Sequence, residues 1–387
     1  GGGGGTLFSL MLHADAVAAP SFDPCLELTP GPPPTYNNVF NSEALHADMC
    51  SWDATEERIT CHVGAVCGNT SNHNVITAVR NTTTSADNDY AVAVWCDDPA
   101  GGGTSGADYC VIITDSSLEV RKLRLVGTAN ADKLAFRMTT GPTLQDLTGG
   151  PKLTGEQYAG AGRDVLLGSP RNSSSRYAEY LYGEADTDRL LSDAGPDHLD
   201  GGGDGDYLDA GNGDDLPNGG SGDDLIAGGG GTDIGHGEDG NDTLCVHTFS
   251  NPPSNIEVLN WSPPSNTWAP TLWGVSCSTT GGATDGDTFR GDDGDDLLVG
   301  AGRKDKLSGG TGLDILRGHE DDDSLCDPAE DGDLLEGGDD DDLLFAIGTA
   351  YDATLNGGDG HDGCTVGSGL TRISCESDPG TSCPFTP

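Results

Sequence analysis

The chain has 387 residues, room for two or three domains. Glycine contributes 61 of them, only 34% are hydrophobic, and 64 acidic residues face 18 basic ones, for a formal charge of −46. Such a charge excludes nucleic acid and anionic membrane as partners, since both are polyanions, and it favours cations. Low hydrophobicity with high net charge is also the signature of disorder, but here the acidic residues fall at regular positions. The 12 cysteines, six before residue 111 and six from Cys245 onward, point to an oxidising compartment and to disulfides.

Residues 1–20 contain LFSLMLHADAVAA at 7–19, a short apolar stretch ending in small residues. We read it as a signal-peptide remnant, although it lacks a basic leading region. No run approaches the ~18–20 apolar residues of a membrane span. Residues 21–121 form the next region. VITAV, YAVAVW and YCVIIT read as strands between Gly-, Asn- and Ser-rich turns, giving a small disulfide-bonded β-rich domain. His46, Cys50, Cys61, His62, Cys67 and His73 have the residue types of a zinc cluster, but disulfides suit the even cysteine count better. Gly101, Gly103 and Gly106 match a dinucleotide fingerprint in spacing only, with no helix to follow. Asn69, Asn81 and Asn172 head sequons.

Residues 122–182 hold two isolated nonapeptides, GTANADKLA from Gly127 and AGAGRDVLL from Ala159, with Asp132 and Asp164 at position six. Residues 183–245 divide into seven unbroken blocks of nine, and position six is aspartate in every one. Residues 246–281 interrupt the array. This insertion carries Trp261, Trp268 and Trp273, keeps the nine-residue register in length, and is bracketed by Cys245 and Cys277, which are placed to staple its neck. It is either degenerate repeat or a loop that leaves and rejoins; its aromatics form either a small core or an exposed binding surface. Residues 282–365 resume the blocks, with one extra residue at Asp327, an interruption at Ala346 and Ile347, and Ala353 in place of an aspartate. In the tail, 366–387, Cys375 is placed to pair with Cys364 as a terminal staple.

The blocks resemble G-G-x-G-x-D-x-U-x, the nonapeptide of the bacterial RTX (haemolysin-type) calcium-binding proteins, over residues 127–365 with interruptions. The resemblance implies an all-β chain built on a right-handed parallel β-roll (β-solenoid), secreted, with Ca²⁺ as its cofactor. Two blocks make one coil. Positions one to six form a turn, where glycine tolerates positive φ and Asn or Asp replace it at modest cost. Positions seven to nine form a short strand with position eight facing inward. Carboxylates and backbone carbonyls of stacked turns then supply the six to eight oxygens that Ca²⁺ takes. The expected metal residues are Asp188, Asp197, Asp206, Asp215, Asp224, Asp233, Asp242, Asp287, Asp296, Asp314, Asp323, Asp333, Asp342 and Asp362. Backbone carbonyls are expected from Gly201, Gly203, Gly211, Gly213, Gly220, Gly222, Gly229, Gly231, Gly294 and Gly312. Asp305 ranks last because Arg303, Lys304 and Lys306 crowd it, so Asp305→Ala should barely alter calcium stoichiometry.

Stacked carboxylates ~5 Å apart repel by roughly 1–3 kcal/mol per pair. About a dozen such pairs exceed the ~5–15 kcal/mol net stability of a typical domain. The arrays are therefore expected to fold only as they bind calcium. Alternate blocks feed opposite sheets: Leu190, Leu208, Ile226 and Leu244 stack in one, and Leu199, Pro217 and Gly235 in the other. In that second stack the apolar residue sits one place early, at Leu216 and Ile234, so the sheet is expected to be irregular or covered.

There is no H-E-x-x-H helix and no G-x-S-x-G elbow, and the carboxylate pairs belong to the turns. The expectation is a non-enzymatic secreted or surface protein that binds several Ca²⁺ ions. The alternatives are an extracellular enzyme or toxin with its active module in 21–121 or the insertion, and an adhesin that meets a cell-surface glycan or protein through the tryptophan-rich insertion.

Overall fold

A computed structural model of the chain describes residues 50–53, 55–56, 58–62, 73–81, 90–97, 109–113, 122–136, 154–168, 178–192, 194–249, 277, 286–328, 332–346, 353–366 and 371–376. The signal-peptide remnant, His46, Cys67, Asn69, the Gly101 loop, Asn172, the three insertion tryptophans and the end of the tail lie outside these residues. The chain divides into two compact units, residues 1–170 and 171–387. Every regular element described is a strand, and no helix among the described residues is long and apolar enough to cross a membrane.

In the first unit, Cys50–Asp53 pairs antiparallel with Arg58–His62. Arg58–His62 then runs parallel to Lys122–Thr128, which runs parallel to Thr154–Ala161. The three strands expected from VITAV, YAVAVW and YCVIIT form an antiparallel meander, His73–Asn81, Tyr90–Asp97 and Tyr109–Ile113. Its first strand also pairs, in parallel, with Asp132–Phe136. Cys61 is buried and disulfide-bonded, as the disulfide reading of this cysteine-rich stretch requires.

The second unit is a parallel β-roll. One sheet runs Glu179–Ala185, His198–Gly203, Leu216–Ser221, Ile234–Asp239, Thr288–Asp293, Lys306–Thr311, Ser324–Asp327, Leu343–Ala346 and Gly363–Val366. The other runs Arg189–Leu191, Tyr207–Asp209, Leu225–Ala227, Thr243–Cys245, Leu297–Val299, Ile315–His319, Leu334–Asp339, Thr354–Asp359 and Thr371–Ile373. Successive blocks alternate between the sheets, so a strand's partner is the block after next. Position eight points inward because side chains alternate along a strand. Leu190, Leu208, Ile226 and Leu244 are in register, and Leu298, Leu316, Leu335 and Leu355 extend the stack. All eight are fully buried. Each such burial contributes on the order of 1.5–3 kcal/mol.

The insertion leaves the roll and rejoins it. Ile234–Asp239 pairs directly with Thr288–Asp293, and Thr243–Cys245 with Leu297–Val299, so both sheets are continuous from one side of the insertion to the other. The Cys245–Cys277 disulfide staples its neck, and Phe249 bridges Cys277 in antiparallel pairing. A second disulfide, Cys364–Cys375, ties down the final strand.

The expected irregularity is smaller than the sequence suggests. Leu216 and Ile234 remain turned outward, 46% and 44% exposed, and the register does not slip to bury them. Pairing with the next strand is missing at Leu216 and at Pro217, which has no N–H to give, and resumes between Asn218 and His236. The space that Gly235 leaves in the core is filled by Phe289 from the next coil, whose ring lies 2.9 Å from where a Gly235 β-carbon would sit. Cover falls on the opposite sheet: Phe249, from the neck of the insertion, buries Tyr207, Leu225, Ala227 and Cys245.

A ladder of buried aspartates as the candidate metal centre

The turns that join the strands need a backbone that L-residues seldom adopt. Gly202, Gly220, Gly229 and Gly310, at position two, have φ between +105° and +125°. Where glycine is absent, mostly acidic residues take that conformation: Glu184, Asp186, Asp204, Glu238, Asp292, Asp321 and Asp340, joined by His319, all at positions two or four. Each turn thereby directs its position-six aspartate into the roll.

These aspartates form two ladders, one along each edge. In the first, the Asp188 N–H donates to Asp206 Oδ1 (2.6 Å), that of Asp206 to Asp224 (2.6 Å), that of Asp224 to Asp242 (2.8 Å) and that of Asp242 to Asp296 (2.7 Å). Asp296 continues to Asp314 and Asp314 to Asp333. In the second, Asp197, Asp215, Asp233, Asp287, Asp305, Asp323, Asp342 and Asp362 follow one another in the same way. Glu179 begins this ladder and Glu376, held beside Cys375, ends it by accepting from the Asp362 N–H. The repeat from rung to rung is 18 residues, 54 across the insertion, and 19 or 20 where one or two residues have been added.

In many rungs one carboxylate oxygen is thus satisfied and the other is not. Oδ2 of Asp206, Asp215, Asp224, Asp233, Asp242, Asp296, Asp323 and Asp342 is buried without a hydrogen-bond partner. A second oxygen converges on it in the turns that begin with glycine. A β-carbon built on Gly237 would lie 2.2 Å from Asp242 Oδ2 and 2.5 Å from Gly291 O. On Gly337 it would lie 2.3 Å from Asp342 Oδ2 and 2.4 Å from Gly357 O. The carbonyl comes from position one of the following coil. Gly201 supplies one of these carbonyls, towards Gly183. Among the other expected carbonyl donors, Gly211 O accepts the Gly230 N–H and Gly229 O faces His247 Nδ1.

Burial, reinforced in most by neighbouring carboxylates, pushes the acids far above the usual carboxylate range. Asp206, Asp224, Asp242, Asp287 and Asp296 rise to about 8, Asp215 and Asp323 to about 9, and Asp233 and Asp342 to about 7. The backbone N–H bonds oppose this only in part. At neutral pH the ladder must therefore hold protons or a cation. An all-oxygen set of carboxylates and carbonyls suits a hard cation of the Ca²⁺ kind.

Asp305 occupies its rung, buried like the rest, but both its oxygens are engaged: Oδ1 by the Asp287 N–H and Oδ2 by the Ala301 N–H at 3.0 Å. Lys304 is turned outward to Asp322. The rung differs because of a backbone donor, rather than through the crowding of cations expected from the sequence.

The RTX calcium-binding nonapeptide repeat family matches residues 182–217, 218–244 and 299–326, in four copies. This chain carries RTX calcium-binding repeats. No curated protein and no solved structure matches it. The RTX matches fall on the turns that hold both ladders, and Ca²⁺ is the cofactor of those repeats. In the first unit the Asp132 N–H donates to Asp164 Oδ1, but Asp132 Oδ2 already accepts from the backbone and hydroxyl of Thr128.

Proposed function

We propose that the protein is a secreted, non-enzymatic calcium-binding protein whose roll folds as it takes up on the order of ten Ca²⁺ ions. The observation that carries this reading is the row of buried aspartates, in which Asp206, Asp215, Asp224, Asp233, Asp242, Asp296, Asp323 and Asp342 each keep one oxygen without a donor. A buried, unpaired carboxylate is too costly to persist. A bound divalent cation removes the cost in the coil that holds it, so folding and binding are coupled coil by coil. The position-six aspartates supply the carboxylates and position-one residues the carbonyls. Disulfides at the insertion neck and at the last strand fit an extracellular setting, where calcium is abundant.

A cell-surface glycan or protein partner for the tryptophan-rich insertion is a second reading, supported by the direct pairing of Ile234–Asp239 with Thr288–Asp293 and of Thr243–Cys245 with Leu297–Val299, in which the roll uses none of the residues between them. Limited proteolysis tests the main reading. Chelator-treated protein with intact disulfides should be cut throughout 183–365, and Ca²⁺, but not Mg²⁺, should protect it. A metal-free form as resistant as the calcium form would overturn it.

A further inference from the structure

At most glycine-initiated turns of the ladders, the point beyond the position-one glycine is met by one carboxylate oxygen and one neutral carbonyl. One turn differs. A β-carbon on Gly309 would lie 2.4 Å from Asp314 Oδ2 and 2.3 Å from Asp327 Oδ2. Asp327 is the single residue added between the nonapeptide that ends at Cys326 and the one that begins at Pro328. An added residue is most easily absorbed as an outward bulge on the surface. Here it ends the strand Ser324–Asp327, opposite Ala346, and its carboxylate is 2% exposed. Asp314 and Asp333 beside it are fully buried, and ligand oxygens of the three lie within 4.8 Å of one another. Asp314 Oδ2 is buried without a hydrogen-bond partner.

We propose that Asp327 converts this turn into a three-carboxylate site, with Asp314 and Asp333, that holds its divalent cation more tightly than the regular turns do. The inference rests on the calcium reading above and adds one distinct, highest-affinity position to it. Ligand charge and site rigidity set calcium affinity across several orders of magnitude. A carboxylate in place of a carbonyl raises the charge that faces the ion. The site also lies in the coil next to the one where Ala353 ends the first ladder, so it is the last strong anchor on that edge.

The test is stepwise removal of calcium from the full chain, disulfides intact, by dialysis against graded chelator buffers, with retained calcium measured by atomic emission. The wild type should keep one ion after the others have left. Asp327→Asn should lose that ion at about tenfold higher free calcium and keep the rest. Deleting Asp327 restores the 18-residue step used elsewhere, so that variant can fold in the regular manner, and it should behave like Asp327→Asn. Asp296→Asn should instead lose a weakly held ion. Retention of the last ion by both Asp327 variants, as in the wild type, would overturn the proposal. So would loss of all wild-type ions at one affinity, with the calcium reading left standing. A wild type that binds no calcium would bring down that reading itself.

Discussion

At position one of a repeat, glycine is required by what lies beyond its α-carbon. Gly237 does not have positive φ, so conformational freedom is not the reason. Its missing β-carbon leaves room for Asp242 Oδ2 and Gly291 O. Gly237→Ala should therefore remove close to one ion from the calcium stoichiometry and destabilise the calcium form by about 1–3 kcal/mol, as forced overpacking does. Gly203→Ala is the control, since the nearest atom to its added β-carbon is Ser221 Oγ at 3.6 Å. It should leave stoichiometry unchanged, and isothermal titration calorimetry measures both. The aspartates at position six were legible in the sequence because a single residue type recurs at a fixed interval. Of the position-one carbonyls only that of Gly201 was expected, because backbone oxygens have no sequence signature and only the stacking of coils brings them to the carboxylate. The inward turn of Asp327 was equally hidden, since an added residue reads as a break in the pattern.

At the scale of elements, the strands are too short to hold a sheet by themselves, and the stack of position-eight side chains does so. Its weakest place is around Gly235, where the core side chain is missing and Phe289 of the next coil fills the gap. Phe289→Ala should cost about 3–5 kcal/mol, at the upper end for large-to-small core changes, because two adjacent coils would lack a side chain there. Chemical denaturation of the calcium-loaded protein measures it. The stack itself and both staples were predictable from spacing. Whether the insertion was degenerate repeat was not, because its length is a whole number of blocks and either reading preserves the register. Strand pairing from Ile234 to Thr288 resolves it. Leu216 and Ile234 show why local hydrophobicity misled: shifting them inward would have carried their aspartates out of the ladder, and a one-residue slip reverses every side chain in a strand.

For the whole molecule, the two ladders make protons and calcium competitors. The aspartates have their ordinary value, near 3.8, in the unfolded chain and about 7–9 in the metal-free roll. The folded form therefore binds more protons across that window. Metal-free stability is fully present below about 3.8 and is lost as pH rises through 7–9. Chelator-treated protein should gain β signal on acidification to pH 3.5 and lose it by pH 9. Calcium binding at pH 7 should release protons, read as a dependence of binding heat on the ionisation heat of the buffer.

The most direct test of the account is a far-UV circular dichroism titration with calcium at pH 9.5, above the range in which protons stabilise the metal-free ladders, starting from chelator-treated protein with its disulfides intact. The ladders predict a cooperative gain of β signal with Ca²⁺ that Mg²⁺ does not reproduce. A spectrum already β-rich without metal, and unchanged by calcium, would mean that the buried aspartates are tolerated in the bare fold and would contradict calcium-driven folding.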